Sequence, residues 1–222
     1  MNIGRWAFLT AIPVMLWLAA SPARAHPHVW IEMRSDLVFN DQGQVAAMNL
    51  QWTFDDGYAQ MALDGLDTNG DGVYSQDELT QLTQENLASL KDYDYFTVIR
   101  YNGEKQRFAP VTEYGQIYSN GKLQLYFQVP LATPIDPAKG EIIAKVYDPD
   151  FFIALDYVKD EPVTAIGAIP AKCRIVVKPV PTDAEIEQTR AMLATKDRDW
   201  KPDTEEDFGA LFAQPVTVQC DT

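Results

Sequence analysis

The 222 residues carry 32 Asp and Glu against 18 Lys and Arg, a formal net charge of −14. A surface of that sign repels nucleic acid and anionic membranes and attracts cations, so nucleic-acid binding is not expected. The chain opens with Arg5 as the one charged residue of Met1–Arg5, an almost wholly apolar run from Trp6 to Ala20, and then Ser21-Pro22-Ala23-Arg24-Ala25. That order predicts a secretory signal peptide over residues 1–25, cleaved after Ala25. The apolar run is shorter than the roughly 20 residues that span a bilayer, and no second run of that length follows, so the mature protein is expected to be soluble. Cleavage would leave His26 as the new N-terminus. It would also remove Arg5 and Arg24, taking the charge to about −16 in a single domain over 26–222.

Alternating residues predict strands at Val29–Phe39 and Gln44–Phe54, paired as a hairpin through Asn40-Asp41-Gln42-Gly43. The period then becomes helical. Tyr58, Met61, Ala62 and Leu66 mark one helix within Asp55–Leu66, and Leu79, Leu82, Leu87 and Leu90 mark a second that ends near Lys91. Hairpins are predicted at Tyr95–Tyr101 with Lys105–Val111 and at Gln116–Tyr118 with Lys122–Val129. Their turns are Asn102-Gly103 and Asn120-Gly121, where both central residues must accept positive φ. Strands follow at Glu141–Tyr147, Phe151–Val158, Val163–Ile169 and Arg174–Val180. A helix over Asp183–Thr195 is capped by Thr182, and a last strand covers Val216–Cys220. The expected fold class is α+β, mainly antiparallel β and sandwich-like, with a helix-loop-helix inserted at about 55–91.

Between the two inserted helices, residues 67–78 match the twelve-residue calcium loop of an EF-hand. Calcium takes six to eight oxygens, and Asp67, Asn69 and Asp71 stand at positions 1, 3 and 5. Gly72 fills position 6, where the chain turns sharply. Val73 offers a carbonyl from position 7, Ser75 acts from position 9, and Glu78 at position 12 offers a bidentate carboxylate. Tyr74 is the apolar side chain expected to pack inward beneath the ion. Ser75 and Glu78 also form a capping box for the outgoing helix. With one loop and no visible partner, calcium is expected to order the insertion more than to switch it.

Cys173 and Cys220 are the only cysteines, and in an exported chain an even pair is most simply a disulfide. His26 and His28 are the only histidines. In an extended chain they project to the same side and, with the freed α-amine, could hold zinc, nickel or copper. Pro27 has no N–H to lose, which blocks a square-planar amide site. An Asp or Glu from elsewhere in the fold would complete the set.

His26-Pro27-His28-Val29-Trp30-Ile31, Trp52-Thr53-Phe54-Asp55, the calcium loop, Tyr93-Asp94-Tyr95-Phe96, Tyr147-Asp148-Pro149, Cys173 and Val218-Gln219-Cys220 occur in that order. Together they resemble a bacterial family, without characterised function, described as the periplasmic component of an ABC-type transport system. The resemblance covers essentially the whole mature chain. It implies a periplasmic location and association with an inner-membrane permease for nickel, cobalt or zinc. Fewer than 200 mature residues without duplicated lobes do not build a hinged, two-lobed solute receptor, so an accessory or metal-delivery role is expected. No Gly-x-Ser-x-Gly elbow, phosphate loop or His-Glu-x-x-His motif is present, and no enzymatic activity is expected. The other reading is a calcium-stabilised interaction module of the cell envelope, with Tyr93, Tyr95, Phe151 and Phe152 as docking aromatics.

Overall fold

Alternation of buried and exposed residues sets the architecture from the first strand. The computed structural model describes residues 29–150, 152–182 and 208–221, with positions 184, 187, 188 and 191. In β1 (Val29–Phe39) the residues Val29, Ile31, Met33, Leu37 and Phe39 are buried, while Trp30, Glu32 and Arg34 face solvent. β2 (Val45–Phe54) returns antiparallel, with Met33 opposite Trp52 and Ile31 opposite Phe54. The Asn40 side chain closes the turn by accepting from the N–H groups of Gln42 and Gln44.

β5 (Tyr114–Ser119) and β6 (Lys122–Ile135) form a second hairpin that adds to β2, with Leu50 opposite Phe127. On the other side of β1 the pairing is parallel. β8 (Ile153–Tyr157) runs beside Val29–Met33, and β9 (Val163–Gly167) runs beside Ser35–Phe39. Arg34 Nη1 holds the crossover between them by donating to the carbonyls of Asp160 (2.6 Å) and Glu161 (2.9 Å). The order is β5-β6-β2-β1-β8, with β9 also on β1.

A second sheet has the order β10-β11-β7-β3-β4, formed by Cys173–Val177, Val216–Cys220, Ile142–Val146, Thr97–Tyr101 and Glu104–Lys105 respectively. Ile99, Ile142, Ala144, Val146, Val216 and Val218 from this sheet join Ile31, Met33, Trp52, Leu125 and Phe127 from the first in one buried cluster. The fold is thus a β-rich α+β domain, mostly antiparallel. Between β2 and β3 the chain forms α1 (Asp56–Leu63) and α2 (Gln76–Lys91), which lie against the inner face of the first sheet. Asp55 caps α1 by accepting from Tyr58 N at 3.0 Å, and its other oxygen accepts from Trp30 N at 2.9 Å. One carboxylate therefore ties the start of the helix to the start of β1.

Several expected elements differ. Met61 is 68% exposed, because the buried stripe of α1 is Ala59 and Leu63 and the helix ends before Leu66. Of Lys105–Val111 only Lys105 is in a strand; the rest crosses toward β6, with Phe108 bridging to Leu131. The strand expected from Tyr95 starts at Thr97, because Asp94, Tyr95 and Phe96 form a tight turn with φ between 51° and 56°. Asn102-Gly103 and Asn120-Gly121 do take positive φ at both positions, as expected of the two hairpins. The helix expected over Asp183–Thr195 and the leader over 1–25 fall largely or wholly outside the described residues.

Cys173 and Cys220 are direct partners across β10 and β11 and form a disulfide, with Cα atoms 4.0 Å apart. It closes a span of 47 residues. Reduction, or Cys173→Ser with Cys220→Ser, should therefore lower unfolding free energy by up to about 4 kcal/mol through the freed entropy of the unfolded chain. Urea midpoints with and without reductant measure this. Asp55 gives a second expectation. Burial pushes its carboxyl up, but the amides of Trp30, Tyr58 and Gly57 and its own N–H outweigh that and hold it below the usual aspartate range. Stability from a depressed acid is present above its unfolded pKa and lost as pH falls through the folded one. Asp55→Ala should cost about 1–2 kcal/mol above about pH 5, and the gap to wild type should close in strong acid.

Candidate metal centre

The loop between α1 and α2 is built by its own acids. Asp67 Oδ1 accepts from Gly70 N at 2.9 Å and Asp71 N at 3.1 Å, and its Oδ2 accepts from Gly72 N at 3.0 Å. Asn69 Oδ1 accepts from Asp71 N, and Asp71 Oδ1 from Val73 N, each at 2.8 Å. These bonds fold the segment back on itself, which requires Gly70 (φ 72°) and Gly72 (φ 76°) to occupy the left-handed region. The expected turn at Gly72 is therefore observed.

Glu78 closes the loop. Its Oε1 accepts from Thr68 N at 2.9 Å and the Thr68 hydroxyl at 3.0 Å, and its Oε2 accepts from Ser75 N at 2.9 Å and the Ser75 hydroxyl at 2.8 Å. Ser75 Oγ in turn accepts from Glu78 N, completing the capping box of α2. Bonds from the Ser75 amide and hydroxyl and from the Thr68 hydroxyl hold the Glu78 carboxyl down at about 2. Thr68 was not singled out in the sequence. The signal available for it was a hydroxyl residue directly after the first loop acid.

The groups a cation could use here are all oxygens, as a hard cation requires: the side chains of Asp67, Asn69, Asp71, Ser75 and Glu78, and only the carbonyl of Val73, whose side chain is 63% exposed. The carboxylates are nonetheless spread around the loop: among the described residues no three His, Cys, Asp or Glu side chains gather into a metal-holding cluster. Each ionised carboxylate has about four acceptor sites. Glu78 already uses four, whereas Asp67 uses three and Asp71 one. An ion taking Glu78 must displace hydroxyl bonds, while Asp67 and Asp71 have lone pairs to spare.

The loop is anchored to the sheet from below. Tyr74 is half-buried and packs edge-on to Tyr118 at 5.1 Å, matching the expected inward side chain. Gln76 Nε2 donates to the Gln116 carbonyl at 2.9 Å, and Lys122 pairs with Asp56. The Thr83 hydroxyl bonds both the Leu79 carbonyl and Gln116 Oε1, deeper under the same helix.

His26 and His28 lie outside the described residues. Cys173 and Cys220 are joined to each other and are not thiolate ligands. Two further motif acids prove structural. Asp55 caps α1, and Asp148, only 4% exposed, accepts from Asp150 N, Phe152 N and Ile153 N to shape the entry into β8.

Comparison with known proteins places the chain. Residues 11–220 match a family described as "Protein of unknown function (DUF1007)". The chain is 24% identical over 200 residues to an "Uncharacterized protein" of Haemophilus influenzae, covering 89% of this chain and 92% of that one. It is 32% identical over 97 residues to the "Uncharacterized 15.5 kDa protein in trpE 3'region" of Spirochaeta aurantia, covering 44% of this chain and 69% of that one. With nearly its whole length matched, the chain belongs to the family of unknown function DUF1007.

Proposed function

We propose that this is an exported periplasmic metal-binding protein. In this reading the Asp67–Glu78 loop is an EF-hand-type calcium site that orders the helical insertion. A transition ion (zinc, nickel, cobalt or copper) is the cargo, carried toward an inner-membrane permease by His26 and His28. The observation behind the calcium site is the loop itself, with five oxygen-bearing side chains at the spacing calcium uses and two glycines at positive φ. Export is supported by the Cys173–Cys220 disulfide, which persists in oxidising compartments. No helix among the described residues is long and apolar enough to cross a membrane. The permease comes from the family resemblance in the sequence, and the histidine pair from its position after the leader.

The reading as an envelope interaction module keeps two of its aromatics: Tyr93 is 48% and Phe152 45% exposed, whereas Tyr95 is buried and Phe151 lies outside the described residues.

Calcium titration by calorimetry should give one ion per chain, with a dissociation constant on the order of 10⁻⁴–10⁻³ M. Calcium at 100 times that constant should raise stability by about 2.7 kcal/mol. Glu78→Gln should weaken binding at least ~10-fold by removing a charged ligand, and a melting temperature indifferent to calcium would count against the site. The cargo is tested by native mass spectrometry on protein processed after Ala25, with calcium saturating. One zinc, nickel, cobalt or copper ion should be retained, and His26→Ala or His28→Ala should lose it while calcium binding stays intact. Retention by both variants refutes the histidine site.

A further inference from the structure

We propose that the outer face of the first sheet binds a neutral oligosaccharide, a flat chain of β-linked sugar rings. A groove of about 590 Å³ crosses that face, within the range of small-molecule sites. It reaches from Thr164 on β9 to Tyr114 on β5. Between them the pairing aligns six side chains in two rows across the strands, Arg34 with Gln51 and Tyr126, and Asp36 with Asn49 and Gln128. Strands lie about 4.8 Å apart, so the five of them give the groove a length of about 19 Å.

Tyr126 supplies an apolar platform. Its cross-strand partner is Gly115, and a Cβ added there would collide with the Tyr126 hydroxyl, Cζ and Cε2. The ring therefore lies down over β5 in space that another side chain would fill, an aromatic–glycine pairing that sheets use. The residue is still 43% exposed and lines the groove. The C–H bonds on one face of a sugar ring carry the slight positive charge that the negative face of an aromatic ring attracts.

The polar groups beside this ring offer donors and acceptors together. Arg34 spends Nη1 on the Asp160 and Glu161 carbonyls and keeps Nε and Nη2. Asp36 accepts from the Thr164 hydroxyl through Oδ1 and keeps Oδ2. Gln128 and Asn49 bond to each other at 2.9 Å. Whichever way these two amides are turned, one donor nitrogen and one acceptor oxygen are left over. Gln51, exposed between Arg34 and Tyr126, has no partner among the described residues. A hydroxyl both donates and accepts, so a row of sugar hydroxyls matches this mixture.

The same lining disfavours other ligands. Asp36, Glu113 and Glu161 outnumber Arg34 along the groove, which works against an anion. An extended peptide is held at a sheet edge through free backbone groups, and on this face the backbone is already paired. A groove that crosses five strands suits the extended ribbon of β-linked rings better than the coil of α-linked ones. None of the oxygens proposed for calcium lines it, so sugar binding and calcium binding are tested independently.

The test is calorimetric titration of the mature protein with chitotetraose, cellotetraose and maltotetraose. At least one of the two β-linked probes should bind saturably, with a Kd on the order of 1 mM or tighter and about ten-fold or more below that of α-linked maltotetraose. Chitotetraose alone would identify an acetamido-bearing glycan. Cellotetraose, alone or with it, would identify a plain glucan backbone. Tyr126→Ala should weaken binding about ten-fold, Tyr126→Phe should leave it nearly unchanged, and Gln51→Ala should cost about three- to ten-fold. Gln51 is exposed and unbonded, so its variant keeps the fold even if loss of the Tyr126 ring disturbs β5. No saturable binding of either β-linked probe, equal affinity for maltotetraose, or binding that survives both Tyr126→Ala and Gln51→Ala would overturn the proposal.

Discussion

Every hydrophobic residue that β1 contributes to the core points the same way, while the strand is bonded to β2 along one edge and to β8 and then β9 along the other. A one-residue slip would expose Ile31, Met33 and Leu37 and break pairings on both sides at once. Register is therefore firmly set here. Three other features take their position from it. The Arg34 side chain pins the β8–β9 crossover, the Trp30 amide meets the Asp55 cap of α1, and the inner face of β1 and β2 forms the wall on which the insertion rests.

α2 runs from the loop into the core: its N-terminus is the capping box of Ser75 and Glu78, and Leu87 and Leu90, nearer its C-terminus, are buried. Thr83 and Gln76, between and before these, hold the helix to β5 through Gln116. The insertion is thus part of the core of the domain and more than a loop hung on its surface: Ala59, Leu63, Leu79, Leu87 and Leu90 belong to the same buried cluster as Trp52.

Local signals were readable in the chain, and non-local ones were not. The Asn-Gly turns, the alternating residues of β1 and the sharp turn at Gly72 each express their conformation within a few residues, and each is observed. The parallel pairing of β8 and β9 with β1 joins residues more than 120 positions apart, and no short pattern encodes that. The strand expected over Lys122–Val129 continues to Ile135, through Pro130 and Pro134. The prolines are tolerated where the pairing with β2 is irregular, between Val45 and Ala47. The left-handed turn at Asp94–Phe96 is hidden for another reason. Three non-glycine residues at positive φ defy local preference, and tertiary contacts hold them: Lys105 pairs with Asp94, and Phe96 is buried against Trp52.

The same bond, a carboxylate accepting backbone N–H groups, recurs at Asp55, Asp148 and Asp67, so acidity alone does not mark a ligand in this chain. Asp148 is buried and serves its own turn, and Asp55 is spent on a helix cap and the β1 amide. What sets the loop apart is density and exposure: Asp67, Asp71, Asp77 and Glu78 crowd twelve residues on a molecule already at −14. Like charges on one short segment repel even through water, though here they are spread around the loop and do not gather at one point. On the calcium reading proposed above, a divalent cation would offset that repulsion. The hydroxyl bonds from Thr68 and Ser75 work in the opposite direction, because they satisfy Glu78 before any ion arrives. Affinity at such a site is a difference between these two terms. On that reading, a loop ordered by its own hydroxyls would belong to the weak, millimolar class of sites and not to a tight one.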